Sequence, residues 1–474
     1  MRVKDISKWA FVIGFTLKAL FGMYFIFIYS EFYGNGSLSA DAGDFIREGK
    51  MLNDVFYTSP GHYFKFLLGF ETSTQEVLTH LGDLNHWDVG AQTIINDNRN
   101  ILRVHSVIHF ISNNNPVIHM LILSFLSLIG IKHFVVGVKA YTKLSANAVF
   151  WIFLLAPSLI FWGSGVLKEP MMLFGLGLFI RGLLAKDEPR KKIAFILLGL
   201  VLLLSFKTYI FFAIIPSLVY LGIFRILPKF KLIGAFLLTA VLLSAPLLIF
   251  SNELDSLLKK VARKQFDFNN IGRGGLITAG EGEGDDYYFL PEAFKNLEIV
   301  NSYVRVVKPV KAKVIDYGGL KEPYSITLEP SEEKWPVVFY REKSQGFIEI
   351  PVLDGTLSQL FSSAPEALMN TLLRPYPNDP GSWLKFPAML ETWLLYIFIG
   401  LALYKRRKLS SREKSLIVAI LIFTLLLSLI IGWTTPVLGA IVRYRIPILV
   451  STLVLGILIY DPEAKRGKRN HSGQ

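Results

Sequence analysis

Residues 145–184 read SANAVFWIFLLAPSLIFWGSGVLKEPMMLFGLGLFIRGLL. Two apolar runs, 145–162 and 167–184, flank a Gly-Ser-Gly turn, and the charges at their junction are Lys168 and Glu169. A run of about 18 apolar residues spans the hydrocarbon core of a bilayer when helical. Lys139 and Lys143 precede the pair, and Arg181, Lys186, Arg190, Lys191 and Lys192 close it. Both ends of this hairpin are therefore basic, and its Lys-Glu turn lies at the opposite end.

The same pattern extends outward in both directions. Apolar runs recur at 9–30, 115–136, 192–206, 207–226, 231–250, 386–404, 415–432 and 436–460. Hydrophobic residues make up 52% of the chain and charged residues 18%, against roughly 25% charged in a soluble domain. The first run is too long for a secretory leader, and Tyr29-Ser30-Glu31 is a poor cleavage site. Segment 207–226 reads either as a span or as half of a shallow hairpin.

Short loops rich in Lys and Arg mark the cytoplasmic side. Arg2, Lys4 and Lys8 at the N-terminus place it inside. Arg225, Lys229 and Lys231, the run Lys405 to Lys408 with Arg412 and Lys414, and the tail residues Lys465, Arg466, Lys468 and Arg469 fall on that side too. Both termini are thus expected in the cytoplasm. The net charge of +13 is explained by these loops and reads as topology and anionic-lipid contact rather than nucleic-acid binding. Cysteine is absent, which excludes thiolate metal sites and thiol nucleophiles.

The fold class expected is an all-α polytopic membrane protein of about ten transmembrane helices with a small extracytoplasmic α/β subdomain. Residues 1–250 form an N-terminal transmembrane domain whose first outer loop is 31–114. Residues 251–385 form the extracytoplasmic, β-containing segment, and 386–474 the last helices and a basic tail. The first outer loop is aromatic throughout and reads as short interfacial helices. In the second, the Gly- and acid-rich stretch Gly274 to Asp286 reads as mobile. Alternation at 302–307, 324–328, 337–340 and 347–352 predicts strands, and 356–373 reads as an amphipathic helix.

Three polar clusters fall on the outer side. Asp41 and Asp44 lie three apart, on one face if their turn is helical. Near a bilayer such a carboxylate suits a general base, and it also suits a helix N-cap. Lys168-Glu169-Pro170 is a charged pair between apolar helices, costly unless paired or used. Arg443-Tyr444-Arg445-Ile446-Pro447 opens the last apolar run, and guanidinium is the usual partner of phosphate. Lys207 adds a further outer cation. His105 and His109 have a metal-ligand spacing, i and i+4, with His119 close by. Without Cys or a paired acid they read as structural. No Walker-type phosphate loop is present.

These residues resemble the membrane-embedded GT-C glycosyltransferases. The resemblance rests on an Asp-bearing outer loop after the first helix, on Pro157-Ser158 with Trp162, Lys168 and Glu169 on the same face, and on Arg443-Tyr-Arg-Ile-Pro. Arg374-Pro375-Tyr376-Pro377 is similar to a segment of bacterial sugar-polymer membrane proteins. Where that family often has Tyr four residues after the Asp, this chain has Phe45. The resemblance implies sugar transfer from a polyprenyl-phosphate-linked donor to a glycan or lipid acceptor at the outer face of a bacterial inner membrane. It implies Asp41 or Asp44 as base, Glu169 orienting Lys168 or holding sugar hydroxyls, and Lys168, Lys207, Arg374, Arg443 and Arg445 as binders of donor or phosphate. No cofactor is expected, with a divalent metal as an option. The alternatives are an O-antigen-type polymerase or ligase, a lipid-linked-sugar flippase or other transporter, and a non-enzymatic envelope assembly protein.

Overall fold

The computed structural model describes residues 6–70, 72–82, 84, 86–87, 96–249, 251–279, 285–300, 302–316 and 324–464. Arg2, Lys4, the basic residues of the tail and the centre of the Gly- and acid-rich stretch lie outside them. The chain folds as two compact units, Met1–Ala235 with Trp393–Thr424 and Ile446–Gln474, and Phe236–Thr392 with Leu425–Arg445.

The first unit begins with α1 (Lys8–Phe27), which ends in a π-helical turn, Ile28–Phe32. Among the described residues of the first loop there are four helices: α2 (Ala40–Thr58), α3 (Pro60–Leu68), α4 (Thr74–Leu81) and α5 (Asp97–Ser112). Local signals set them. Ser73 and Glu76 form a reciprocal capping box on α4, Pro60 opens α3, and Gly69 closes it in the left-handed conformation. Then come α6 (Pro116–Val138), α7 (Ala146–Leu154), α8 (Pro157–Trp162), α9 (Glu169–Leu184), α10 (Pro189–Phe206) and α11 (Thr208–Ile226). Helices α6, α9 and α10 pack backbone to backbone. A Cβ on Gly177 would lie 2.3 Å from the carbonyl oxygen of Gly130, and one on Gly199 would lie 2.6 Å from the amide of Phe179. Small residues at such crossings are how apolar helices gain van der Waals contact without a hydrophobic driving force.

The remaining helices are α12 (Lys231–Ile249), α13 (Ser251–Arg273), α14 (Leu357–Leu372), α15 (Lys385–Tyr404), α16 (Ser411–Thr434), α17 (Leu438–Tyr444) and α18 (Ile446–Ile459). Among its described residues the second unit also holds an antiparallel sheet of seven strands in the order β3-β4-β7-β1-β2-β5-β6. These are β1 (Gly275–Ala279), β2 (Asp285–Phe289), β3 (Leu297–Val300), β4 (Tyr303–Val306), β5 (Val310–Asp316), β6 (Tyr324–Leu328) and β7 (Trp335–Arg341). Leu276, Phe289, Val304, Val306, Val310, Ala312 and Trp335 form its core.

The chain is thus a helical membrane protein with a small sheet, but with fewer spans than expected. Among the described residues five helices are long and apolar enough to cross a membrane: Lys8–Phe32, Pro116–Tyr141, Thr208–Ile226, Lys385–Tyr404 and Ser411–Thr434. A sixth results if Leu438–Tyr444 and Ile446–Ile459 count as one broken span. The shortfall has local causes. Run 145–162 is cut at Pro157 into helices of 9 and 6 residues, and α9 has only 16. Helix α10 carries Arg190, Lys191 and Lys192 in its first turn.

Strands over 302–307, 324–328 and 337–340 are present, whereas 347–352 is not a strand. Phe347 makes only an isolated bridge to Val437. The described ends of the Gly- and acid-rich stretch are ordered as β1 and β2, an antiparallel hairpin. Its tyrosines and Leu276 supply the pairing that the glycines obscure in the sequence.

Candidate functional site

The turn between α8 and α9 is irregular backbone inside an apolar bundle, where every carbonyl needs a donor. Side chains supply them. Ser127 Oγ donates to Gly163 O at 2.5 Å, Ser124 Oγ to Ser164 O at 3.1 Å, Ser164 Oγ to Ile160 O at 2.6 Å, and His105 Nε2 to Val166 O at 3.1 Å. Lys18, from α1, is fully buried against this turn. A Cβ on Gly163 would come within 3.2 Å of its Nζ, which has no hydrogen-bond partner among the described residues.

The histidines form a directed chain rather than a metal site. Because His105 donates from Nε2, its Nδ1 accepts, and it faces Nδ1 of His119 at 2.8 Å. His119 therefore donates there, and its Nε2 accepts from Ser112 Oγ at 2.8 Å. His109 Nε2 donates to Ile46 O at 2.9 Å. Burial holds the His105 pKa far down, at about 3, so the ring is neutral as this chain requires. No group of three or more His, Cys, Asp or Glu among the described residues could hold a metal ion.

This scaffold presents Lys168 and Glu169 at the start of α9. Lys168, 6% exposed, pairs with Asp97 at 2.8 Å and donates to Asn98, both at the start of α5. Its ammonium also lies 5.4 Å from the ring centre of Phe45. Glu169 is fully buried and accepts from Lys207 at 2.9 Å. Lys207 is 4% exposed and sits at the break between α10 and α11.

The acids of the first loop occupy the start of α2, in the same turn as Phe45. Asp41 is half-buried there, and Asp44 pairs with Arg47 at 2.7 Å. One turn further, Glu48 is fully buried and accepts from His86 twice, from the backbone amide at 3.1 Å and from Nδ1 at 2.9 Å. The hydrogen bond to Glu48 raises the His86 pKa, and Asp41 and Asp44 add to the effect. Trp87 carries two guanidiniums over its ring, Arg99 at 5.2 Å and Arg103 at 5.3 Å. Burial, with Arg99 nearby, pulls the Arg103 pKa down to about 10.

Lys168, Glu169 and Lys207 thus form one charged layer of the first unit, which the helix start bearing Asp41 and Asp44 meets through Phe45. Arg374, Arg443 and Arg445 belong to the second unit. There Arg445 donates to Thr392 Oγ1 at 2.7 Å, to Ala388 O at 3.3 Å, to Thr371 O at 3.4 Å and to Arg374 O. Arg374 is held by Asn370 at 2.8 Å and by Asp379. Arg443 is half-buried beside the Tyr444 ring. Sequence reasoning misses Glu48, His86, Asp97 and Glu391, the last a buried acid within α15. Asp41, Asp44 and Glu48 recur at helical spacing, which is a usable signal. Nothing near His86 announces it.

No protein-family model matches the chain, no curated protein is similar to it, and no solved structure matches it.

Proposed function

We propose that the protein is a membrane glycosyltransferase of GT-C type, transferring a sugar from a polyprenyl-phosphate-linked donor to a glycan or lipid acceptor. The observation that supports this reading is the meeting of two distant motifs. Phe45, in the Asp41-to-Asp44 turn, lies against the ammonium of Lys168, which directly precedes Glu169. A base and a buried cation are what inverting transfer needs, and the Phe45 contact brings the Asp-bearing helix start to the Lys168 turn. Asp41 takes the proton of the acceptor hydroxyl from its place at the start of α2. Lys168 exchanges Asp97, whose side chain is 40% exposed, for the departing phosphate, and so stabilises the charge that develops there. Glu169 and Lys207 hold the turn in place. In the second unit, Arg445 positions helix ends.

The basic loops favour a bacterial inner membrane with both termini cytoplasmic and this layer outside. A flippase would need a polar route through the membrane. Lys18, the charge within the first apolar run, is sealed by the bundle.

The test is transfer of labelled sugar from a polyprenyl-phosphate donor by the purified chain. Asp41→Asn is expected to abolish transfer while the protein stays folded. Full activity in the Asp41→Asn, Asp44→Asn double variant overturns the carboxylate-base mechanism.

A further inference from the structure

At the other end of the first unit, α11 and α16 are joined by a hydrogen bond from Ser217 Oγ to Ala419 O at 2.8 Å. Above it the pair opens into a groove of about 500 Å³ lined by Leu221, Phe224, Arg225, Arg412, Ser415 and Leu416. Arg225 lies eight residues beyond Ser217, and Arg412 seven before Ala419. At 1.5 Å per residue the two arginines stand about 12 and about 10 Å from the shared hydrogen bond, so they lie at one level. That level is the end of two membrane-length helices, Thr208–Ile226 and Ser411–Thr434.

Neither guanidinium makes an ion pair among the described residues. The adjacent acid, Glu413, is already engaged by Arg407 at 2.7 Å and by the amide and hydroxyl of Ser410. The groove therefore carries two unneutralised positive charges over apolar walls. Its apolar flank continues onto exposed Ile226 and Leu227.

We infer that this groove binds the phosphodiester headgroup of an anionic phospholipid, with Arg225 and Arg412 on the phosphate and the glycerol and upper chains on Leu221, Phe224 and Leu416. Two guanidiniums present paired donors to phosphate oxygens. Basic pockets between helices at the bilayer surface suit such headgroups. The apolar wall favours a lipid over free phosphate, which has nothing to place on Phe224.

The test is native mass spectrometry of the full chain in detergent, titrated with phosphatidylglycerol, phosphatidylcholine or inorganic phosphate. Wild type is expected to retain phosphatidylglycerol at least about tenfold more tightly than phosphatidylcholine. The Arg225→Gln, Arg412→Gln double variant is expected to lose that preference, while Arg190→Gln, a basic-loop control, keeps it. Equal retention of the two lipids by wild type overturns the proposal without recourse to any variant. So does displacement of phosphatidylglycerol by inorganic phosphate at equal concentration, which marks a free-anion site, or an equal loss in Arg190→Gln, which marks diffuse charge.

Discussion

Two buried basic clusters, one in each unit, make different kinds of contact. In the first unit Lys168 and Lys207 face carboxylates, Asp97 and Glu169. In the second, Arg445 faces a threonine hydroxyl and three main-chain carbonyls from the end of α14 and the start of α15. A carboxylate partner can be exchanged for another anion, because the lysine is left charged and the displaced acid can turn to water. Carbonyls at helix ends cannot leave without unwinding the helices. The contacts differ although both clusters look alike in the sequence as basic residues near apolar runs, and the proposed roles follow that difference: Lys168 handles a charged ligand and Arg445 fastens helices.

The largest effect that could break this contrast lies at the Glu169–Lys207 pair. Glu169→Gln leaves the Lys207 charge buried without its acid, a cost of about 3–5 kcal/mol. The Glu169→Gln, Lys207→Gln double variant should recover most of that in a denaturation midpoint, yet remain poor in sugar transfer. Recovery of both stability and transfer would make the pair purely structural.

Next comes Arg445. Replacing it by Gln removes charge-assisted hydrogen bonds to several acceptors, each worth about 1.5–3 kcal/mol. Reduced thermal stability, with donor affinity unchanged in the folded fraction, is the expected outcome. Loss of donor affinity at normal stability would move Arg445 from fastener to ligand.

A smaller effect concerns pH. His86 has a raised pKa in the folded chain because Glu48 accepts its proton-bearing nitrogen. A raised folded value means that the charged ring stabilises the fold fully below its ordinary pKa of 6.5. That contribution fades as pH rises through the folded value, above 6.5. Wild type is expected to be more stable than His86→Gln at pH 5.5. Melting temperatures of the two proteins, followed from that pH upward, should converge. A gap that stays constant or widens with pH would place the Glu48–His86 contact among neutral hydrogen bonds.

Much of this architecture is legible in the chain. Period-two alternation locates β4, β6 and β7, and the amphipathic pattern locates α14. The run over 347–352 alternates equally well, but Pro351 removes a donor and the segment pairs only at Phe347. Run length exaggerates the spans, because hydropathy counts residues and not the break at Pro157. The Asp41, Lys168 and Lys207 clusters are visible as charges out of place. Their mutual contacts are not, since Phe45 and Lys168 meet only through the fold. The contacts of Arg445 are hidden for a related reason: they include main-chain carbonyls, which every residue has and no sequence pattern reveals.

The central claim is that the Lys168 ammonium exchanges a protein carboxylate for a lipid phosphate. Binding isotherms with a polyprenyl-phosphate analogue test it directly, on wild type, Lys168→Gln and Asp97→Asn. Lys168→Gln should weaken binding by about tenfold or more, roughly 1.4 kcal/mol, while Asp97→Asn, which removes the competing acid, should bind at least as tightly as wild type. Equal affinity across all three proteins would contradict the account.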